Sequence, residues 1–327
     1  MDARPLEERK ETQSALNSPR FLISRLSALG DTVCSLPAAV SLKRAFPDCE
    51  ITWVVDRRFA GIVECCSAVD TVLPIKFSLK GIPTYEGEFE AALDLQGLGK
   101  SGLCIWKAKA KVKVGYHWRR EAAWLFSERV MPDPTSLHVV DQYVDVARSV
   151  GGIMDRAEFC LSPKSEDTDV VKLLLEEHGV RAPFVVINAG AGWASKRWVP
   201  SSFAAAIDDL SNRGVASVLI GGKAEGDIAA ANEVISNCHS KPQNFLGKTS
   251  VRQLVALIDL ASAHLGGDTG STHIAAALGK PAIGLYSITR PERSCPYGQI
   301  SRCLYDPGAL ANIQPDAVKA LLKEVLP

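Results

Sequence analysis

The chain has 327 residues, of which 46% are hydrophobic and 23% are charged, a composition typical of globular proteins. Lysine plus arginine and aspartate plus glutamate number 37 each, which argues against a general nucleic-acid binder, since such proteins are usually basic overall. The length predicts two domains, because single hydrophobic cores stop growing beyond roughly 250–300 residues.

The amino terminus and the cysteines point to a cellular compartment. Residues 1–18 are charged and polar and lack the apolar core of a signal peptide, so we expect residues 1–19 to form a disordered extension. No uninterrupted apolar run approaches the roughly 20 residues that span a bilayer. The nine cysteines follow no CxxC or Cys/His spacing, which favours reduced thiols over disulfides or a metal site. We therefore expect a cytoplasmic protein.

The first half of the chain alternates short apolar strands with helices. Such alternation predicts a parallel α/β sheet, and open parallel sheets bind ligands at the carboxyl ends of their strands. The loop at residues 24–31, which ends in Gly30 and Asp31, lies at such an end. We predict strands at residues 21–23, 51–55, 69–74 and 91–95, and helices at residues 32–46 and 59–65.

Asp31 admits two interpretations. It precedes the predicted helix at Thr32, where an aspartate usually caps the free N–H groups of the first turn. It also follows a strand end, where a carboxylate in a cleft could act in catalysis. Position alone favours the cap.

A basic segment follows the fourth predicted strand. Residues 100–120 contain seven basic side chains and no acidic one. Residues 107–114 alternate lysine with apolar residues, so a strand would place its lysines on one face. Two interpretations fit: a solvated edge protected from aggregation by lysines, or a positive rim facing an anionic acceptor or membrane surface.

A polar segment containing proline, residues 161–168, is the best linker candidate. We therefore place one domain at residues 20–164 and another at residues 165–327. In the second, a strand at residues 184–187 precedes a glycine-rich loop and the pair Lys196-Arg197, an arrangement that could bind a pyrophosphate. Glu225 follows another strand, where it could bind a ribose diol or favour the start of a helix. A terminal helix at residues 316–325 could pack back on the first domain.

Residues 266–286 form a glycine- and hydroxyl-rich turn, a helix at 271–278 and a strand at 282–286. A helix N-terminus after glycines presents free N–H groups and the positive end of a dipole, which suits a phosphate. An ordinary loop–helix–strand connection is the alternative. The polar side chains at this end are Asp268, Thr269, Ser271, Thr272 and His273.

Five segments together carry a family resemblance, although each alone is moderate. They are residues 21–39, 53–55, 93–101, 196–200 and 267–281. Their combination resembles the bacterial lipopolysaccharide heptosyltransferases, nearest to the heptosyltransferase I type, over nearly everything after residue 20. The resemblance implies an α/β protein of GT-B architecture, in which two Rossmann-like domains flank a cleft.

The resemblance also implies an activity: inverting, metal-independent transfer of heptose from ADP-heptose to the Kdo sugar of Kdo-lipid A, without a cofactor. The general base falls on Asp31 and the phosphate-binding lysine on Lys196. The first domain would hold the acceptor, where we expect contacts from Gln96, Lys100, Arg119 and Arg120, and peripheral contact with the inner membrane is conceivable. The donor would be bound by Lys196, Glu225, Asp268, Thr269, Gly270, Ser271, Thr272 and His273.

The sequence departs from the family between Asn188 and Lys196, where it has fewer hydroxyls and acids than the family's usual segment. This departure leaves two alternatives open. One is a GT-B transferase that uses another nucleotide sugar. The other is a non-catalytic homologue that binds a nucleotide sugar, although the presence of both Asp31 and Lys196 argues against it. A related epimerase would need paired carboxylates around the donor sugar, and none is evident.

Overall fold

A computed structural model describes residues 18–78, 81–190 and 197–326 of the chain. In this part of the chain the strands form two sheets of six strands each, and neighbouring strands within each sheet run parallel. The predicted α/β class is therefore confirmed. The predicted extension at residues 1–19 lies outside the described residues except for its last two positions, and Lys196 also lies outside them.

The first sheet has the strand order β3-β2-β1-β4-β5-β6, and β1, which is buried after its first residue, lies near its middle. Its strands are β1 (Arg20–Ser24), β2 (Glu50–Asp56), β3 (Thr71–Ile75), β4 (Phe89–Asp94), β5 (Ala110–Tyr116) and β6 (Glu128–Val130). The helices of this half are α1 (Leu29–Ala45), α2 (Ala60–Glu64), α3 (Gly99–Trp106) and α4 (Val139–Arg148), with a 3-10 helix at Ala123–Leu125.

The second sheet has the order β12-β11-β10-β7-β8-β9. Its strands are β7 (Phe184–Asn188), β8 (Ala216–Ile220), β9 (Gln243–Asn244), β10 (Ala263–Gly267), β11 (Ala282–Tyr286) and β12 (Cys303–Tyr305). The helices are α5 (Ser165–Glu177), α6 (Pro200–Asn212), α7 (Glu225–Asn237), α8 (Val251–Leu260), α9 (Gly270–Ala277), α10 (Pro291–Ser294) and α11 (Pro315–Val325), with 3-10 helices at Ile300–Arg302 and Leu310–Asn312. None of the helices in the described ranges has both the length and the apolar character needed to cross a membrane.

Each sheet has a point where the strand order reverses, and there a crevice opens at the carboxyl ends of the strands. In the first sheet this point lies between β1 and β4, where Ser24 is paired with Asp94. In the second it lies between β7 and β10, where Asn188 is paired with Gly266. Both crevices thus lie beside loops that the sequence singles out.

Helix α1 begins at Leu29, three residues earlier than predicted, with Ala28 as its N-cap. Asp31 is therefore the third residue of the helix and not its N-cap, which corrects the capping interpretation. Its Oδ2 nevertheless accepts a hydrogen bond from the N–H of Ala28 at 3.3 Å, the reciprocal half of a capping box. The carboxylate thus supports the helix start and still reaches solvent.

The two halves meet where the amino-terminal turns of α1 and α9 pack together. A Cβ added to Gly30 would lie 2.9 Å from Cδ2 of His273, closer than real Cβ contacts allow. A Cβ added to Gly270 would lie 2.7 Å from Cδ2 of Leu29. This close approach brings the helix that carries Asp31 against the predicted phosphate-binding helix.

The terminal helix α11 packs on α6 and β11 of the second half. Its buried Val318 and Leu322 belong to the apolar cluster that contains Val185 and Leu265 of the second sheet. The suggestion that this helix packs back on the first domain is therefore corrected. Its apolar face is already buried against the sheet it follows.

Of the four alternating lysines of residues 107–114, Lys111 and Lys113 lie on β5, an interior strand of the sheet, and Lys107 and Lys109 precede it. Lys111 pairs with Glu90 at 2.6 Å and Lys109 with Glu88 at 3.7 Å, both acids lying next to or on the neighbouring strand β4. These cross-strand pairs offset part of the basic charge. The positive-rim interpretation therefore rests on Lys100, Arg119 and Arg120 more than on the alternating lysines.

Candidate active site

Asp31 is held by a buried arginine. Nη2 of Arg25 lies 2.8 Å from Oδ2 of Asp31, and the two side chains are 5% and 50% exposed, respectively. Nη1 of Arg25 donates to the carbonyl oxygen of Leu95, and its guanidinium lies 5.2 Å from the centre of the Tyr143 ring, a cation–π distance. The cation is fixed by the core, and the carboxylate faces outward.

The loop before Asp31 is tied to the loop after β4. Gln96 accepts a hydrogen bond from the Leu26 N–H at 2.9 Å and donates to the Ser27 hydroxyl at 3.1 Å. Nζ of Lys100 also reaches the Ser27 hydroxyl, at 3.5 Å. Two of the four predicted acceptor residues thus lie beside the loop that precedes the candidate base.

The loop after β4 is itself organised by Asp94. This buried carboxylate accepts hydrogen bonds from the N–H groups of Gln96 and Gly97 at 2.9 and 3.0 Å. Burial raises the pKa of Asp94, and these hydrogen bonds partly oppose the rise. Asp94 therefore fixes the conformation of the loop that carries Gln96, and its own carboxylate is buried below that loop.

The other two acceptor candidates come from the loop after β5. The Arg120 N–H donates to the Gly97 carbonyl at 2.8 Å, which joins this loop to that of Gln96. Arg119 donates to the carbonyl of Ser127 at 2.7 Å and is half-buried, whereas Arg120 is exposed. Burial, together with the nearby charge of Arg129, lowers the pKa of Arg119. The four predicted acceptor residues thus lie close together, Gln96 just before α3, Lys100 in its first turn, and Arg119 and Arg120 on the loop linked to it.

Across the interface, a cluster of hydroxyls surrounds the N-terminus of α9. Thr269 is the N-cap, and its Oγ1 lies 3.1 Å from the Ser271 hydroxyl and 3.3 Å from that of Thr272. Nδ2 of Asn188, at the end of β7, donates to Ser271 at 2.9 Å and approaches Thr269 at 3.3 Å. Free helix N–H groups surrounded by hydroxyls and an amide make a site suited to a phosphate.

His273 lies one turn further along α9 and is buried. Its Nε2 is 3.4 Å from Oδ1 of Asp268, whose Oδ2 accepts a hydrogen bond from the Thr289 hydroxyl at 2.9 Å. Burial alone would lower the pKa of His273, but Cys34 of α1 and the Asp268 carboxylate raise it well above its ordinary value. This raised pKa favours the protonated imidazole beneath the helix N-terminus.

Two adjoining cavities of about 410 and 240 Å³ lie at the carboxyl ends of β7 and β8. Asn188, Gly221 and Gly222 line both of them. Together they have the size of a cofactor or nucleotide pocket. The larger is also lined by Arg197 and Thr269, and the smaller by Leu29, Gly270 and Ser271. The pocket therefore runs from the glycine-rich loops to the helix that carries Asp31.

Glu225 is exposed in the first turn of α7 and is not one of the residues that line this pocket, although its neighbours Ala224 and Gly226 are. Asp227 does line it, and its Oδ2 accepts a hydrogen bond from the Gly222 N–H at 3.1 Å. Asp227 also lies 4.0 Å from Arg197. Two carboxylates of α7 are thus near the pocket, and among the described residues only Asp227 accepts a local hydrogen bond.

A third cavity, of about 410 Å³, lies at the other end of the strands of the second sheet, beside Phe184 at the start of β7. Apolar side chains such as Leu175 and Leu260 line much of it. None of the described residues that line this cavity is at the carboxyl end of a strand. The residues that line it therefore differ in kind from those of the glycine-lined pocket, which we take as the candidate site.

The structure brings Asp31 and the α9 residues to one interface, and places the acceptor candidates next to Asp31. Three residues of the candidate site were not singled out from the sequence: Arg25, Asn188 and Asp227. A signal existed for Asn188, because it directly follows a buried strand at a crevice-forming edge. Within the described ranges, no group of three histidine, cysteine, aspartate or glutamate side chains is arranged to hold a metal ion.

Comparisons with known proteins point to one family. The model of glycosyltransferase family 9 (heptosyltransferase) matches residues 85–314. The lipopolysaccharide core heptosyltransferase OpsX of Haemophilus influenzae is 28% identical to this chain, over 86% of it and 83% of the relative. Lipopolysaccharide heptosyltransferase 1 of Salmonella typhimurium is 27% identical, over 91% of this chain and 98% of the relative.

Solved structures share the fold. A glycosyl transferase family 9 protein from Veillonella parvula aligns with a TM-score of 0.82 and 19% identity, covering 95% of this chain and 98% of its own. The E. coli heptosyltransferase WaaC with ADP aligns with a TM-score of 0.76 and 23% identity, covering 93% and 99%. These likenesses confirm the predicted GT-B architecture of two Rossmann-like units.

Proposed function

Since the chain belongs to glycosyltransferase family 9, the heptosyltransferase family, and is a glycosyltransferase, we propose that it transfers heptose from ADP-L-glycero-D-manno-heptose to the Kdo sugar of the lipopolysaccharide inner core. One observation carries the proposal. The helix bearing Asp31 packs against the hydroxyl-rich N-terminus of α9, beside a pocket large enough for a nucleotide. A base and a phosphate cradle thus adjoin one cleft, as a sugar transfer requires.

The donor assignment is supported by relatives and by local chemistry. Curated relatives are named as lipopolysaccharide heptosyltransferases 1, 2 and 3, and WaaC has been solved with ADP and with ADP-2-deoxy-2-fluoro heptose. In this chain, the diphosphate would lie against Thr269, Gly270, Ser271 and Thr272, with His273 behind them and Asp268 raising its pKa. The ribose diol would be bound by Glu225.

The reaction would invert the anomeric carbon of the donor. The acceptor hydroxyl attacks that carbon from the face opposite the diphosphate, and Asp31 takes the hydroxyl proton as the new C–O bond forms. The bond from the anomeric carbon to the diphosphate breaks, and ADP leaves with the electron pair. Lys196 and the free N–H groups of α9 would stabilise the charge that develops on the leaving diphosphate.

The acceptor would occupy the first domain, which we propose spans residues 20–164 and faces a donor domain at residues 165–327. Gln96 and Lys100 lie beside Ser27, and Arg119 and Arg120 belong to the adjoining loop. These donors and cations match the carboxylate of Kdo and the phosphates of lipid A. Because such an acceptor is anchored in lipid, the enzyme would work at the cytoplasmic face of the inner membrane.

A second candidate is a transferase of the same architecture that uses another nucleotide sugar. It is favoured by one observation, the reduced number of hydroxyls and acids between Asn188 and Lys196. A non-catalytic homologue is disfavoured because Asp31 is retained and is held by Arg25 at 2.8 Å.

The test is direct. Purified protein is mixed with ADP-heptose and a Kdo-lipid A acceptor, and ADP release and the glycosylated product are measured. The expected result is stoichiometric formation of both. A thermal-shift panel with ADP-, UDP-, GDP- and CMP-sugars then ranks the donors, because a specific ligand raises the melting temperature by mass action. Preferential stabilisation by a UDP-sugar, with no turnover of ADP-heptose, would overturn the heptose assignment.

A further inference from the structure

The first half carries an exposed apolar surface that the proposed chemistry does not use. Trp106, Trp124 and Leu125 are 56%, 61% and 69% exposed, respectively. They belong to α3 and to the 3-10 helix at Ala123–Leu125, and these two elements pack together. The Trp106 ring lies edge-on to the half-buried Phe126, with centroids 6.4 Å apart. We call Trp106, Trp124 and Leu125 the tryptophan patch.

The packing behind the patch is tight, so these side chains are held outward by the fold. A Cβ on Gly102 of α3 would lie 2.6 Å from Cδ2 of Phe126, which shows how closely the 3-10 segment lies on the helix. Glu121 and Ala122, just before the 3-10 helix, have φ angles of 53° and 58°. Two successive non-glycine residues in the left-handed region are uncommon and persist where the surroundings enforce them.

Basic side chains border the patch. Lys107 follows Trp106 directly, Nζ of Lys113 donates to the Trp106 carbonyl at 2.8 Å, and Arg120 accepts a hydrogen bond at its carbonyl from Ala123. Glu121 and Glu128 are the nearby acids along the chain. Exposed indole rings with adjoining lysines and arginines are the combination that binds the interface of an anionic bilayer.

The patch adjoins the predicted acceptor rim. Arg120 is linked through its N–H to Gly97, between Gln96 and the first turn of α3, and a Cβ on Gly99 would meet the Glu121 carbonyl at 2.5 Å. A bilayer that contacts the patch would therefore lie beside the loops that we propose bind the acceptor.

From this juxtaposition we infer that the tryptophan patch and its basic border dock the protein on an anionic membrane, with Trp124 and Leu125 inserted among the lipid headgroups. The inference rests on the proposed function for its biological sense, because a lipid-anchored acceptor must be reached at a bilayer surface. Its physical content, lipid binding by named side chains, is independent of turnover. It specifies the surface where the proposed membrane contact is made.

The decisive experiment is vesicle co-sedimentation of the full chain. Vesicles of phosphatidylglycerol and phosphatidylethanolamine are compared with vesicles of pure phosphatidylcholine. The protein is expected to bind the anionic vesicles, and the double variant Trp124→Ser/Leu125→Ser to lose roughly tenfold or more in partitioning, since two large apolar side chains no longer leave water. Lys107→Glu should weaken binding to anionic vesicles alone.

The matched control is Val170→Ser/Leu173→Ser, which removes two comparably exposed apolar side chains from α5 of the second half, where we expect no loss of vesicle binding. Vesicle binding by Trp124→Ser/Leu125→Ser equal to that of the unmodified protein would overturn the inference. So would a dimer, seen by light scattering, that this variant converts to a monomer, because the patch would then join two copies of the chain.

Turnover separates this inference from the proposed function. The double variant should keep its kcat on a deacylated, water-soluble acceptor and show a raised KM only for acceptor embedded in vesicles. If the unmodified protein binds vesicles but turns over neither acceptor, the proposed function fails and the docking surface stands. If it turns over the soluble acceptor but does not bind vesicles, the docking surface fails and the proposed function stands.

Discussion

Arg25 and Asp31 form an ion pair that joins the core to the cleft: Nη2 and Oδ2 are 2.8 Å apart, with the cation buried and the carboxylate half exposed. The guanidinium is also fixed by the Leu95 carbonyl and the face of Tyr143. Because Arg25 and the Ala28 N–H both contact Oδ2 of Asp31, the orientation of the other oxygen, Oδ1, is set as well. If Asp31 is the general base, Arg25 is the residue that positions it.

Arg25→Met should therefore lower kcat about 10- to 100-fold and leave ADP binding unchanged, because a misplacement of about 1 Å at a reacting group has costs of that order. Arg25→Lys keeps the positive charge but has a single nitrogen to contact both Asp31 and the Leu95 carbonyl, so it should recover part of the loss. Steady-state kinetics with both substrates measures the split between kcat and KM. If Arg25→Met and Arg25→Lys lost the same amount of kcat, and both also lost thermal stability, the role of Arg25 would be merely structural.

Asp31→Asn should reduce kcat by about 10²–10⁴-fold, the usual contribution of a positioned general base. The amide preserves the shape of the side chain and can still accept a hydrogen bond from the Ala28 N–H, so α1 should keep its start. Donor binding, measured by the thermal shift with ADP, should persist. Asp48→Asn, at an exposed loop position of the same domain, is the matched control. Turnover retained by Asp31→Asn would exclude Asp31 as the base.

Asn188→Asp should weaken ADP binding at least tenfold. Asn188 donates to the hydroxyl cluster at the N-terminus of α9, and a carboxylate in its place would repel the diphosphate. The loss should shrink as ionic strength rises, because salt screens repulsion between charges. Isothermal titration at two salt concentrations measures both effects, with the exposed Asn212→Asp as the control. Unchanged affinity would mean that the phosphates bind elsewhere.

The sequence predicted the strands well because buried parallel strands are short apolar runs that depend little on distant residues. The strand at residues 282–286 coincides with β11. Helix starts were less predictable, as the early beginning of α1 shows: Ala28 has no capping side chain, and Asp31 reaches back to its N–H from inside the helix. A capping box without Ser or Thr at the N-cap leaves little local signal.

The grouping of polar side chains was predictable where they lie within one segment, as in residues 268–273. It was not predictable where a partner comes from far along the chain. Arg25 is buried because Tyr143 and the Leu95 carbonyl receive it, and the pKa of His273 is raised partly by Cys34 of α1. The basic segment shows the same limit. Its Lys109 and Lys111 pair with Glu88 and Glu90 of another segment, and the sequence pattern alone does not predict this strand register.

Glu225→Gln and Asp227→Asn distinguish the two carboxylates near the pocket. Glu225 has no hydrogen-bond or ion-pair partner among the described residues, so its carboxylate is available to a ribose diol. Asp227 already accepts from the Gly222 N–H. We expect Glu225→Gln to weaken ADP binding about tenfold, the value of one charge-assisted hydrogen bond. Asp227→Asn should cost less affinity and more stability. The opposite order would transfer the ribose role to Asp227.

His264 of β10 should make the free energy of unfolding depend on pH. The ring is fully buried, neither nitrogen has a partner among the described residues, and burial lowers its pKa to about 3. The unfolded state, with an ordinary pKa of about 6.5, binds the proton that the folded state excludes, so stability present above pH 6.5 is lost as pH falls toward 3. Between pH 7 and 5 this loss amounts to about 2 kcal/mol.

His264→Leu removes the titrating ring while keeping an apolar side chain in the core. Urea unfolding at pH 7 and pH 5 should therefore show a pH-dependent loss smaller by about 2 kcal/mol in this variant, whatever its stability at pH 7. His239→Asn replaces an exposed histidine of the same half and should leave the loss unchanged. The same pH-dependent loss in His264→Leu as in the unmodified chain would mean that the ring is solvated or hydrogen-bonded in solution, and that acid sensitivity arises at other groups.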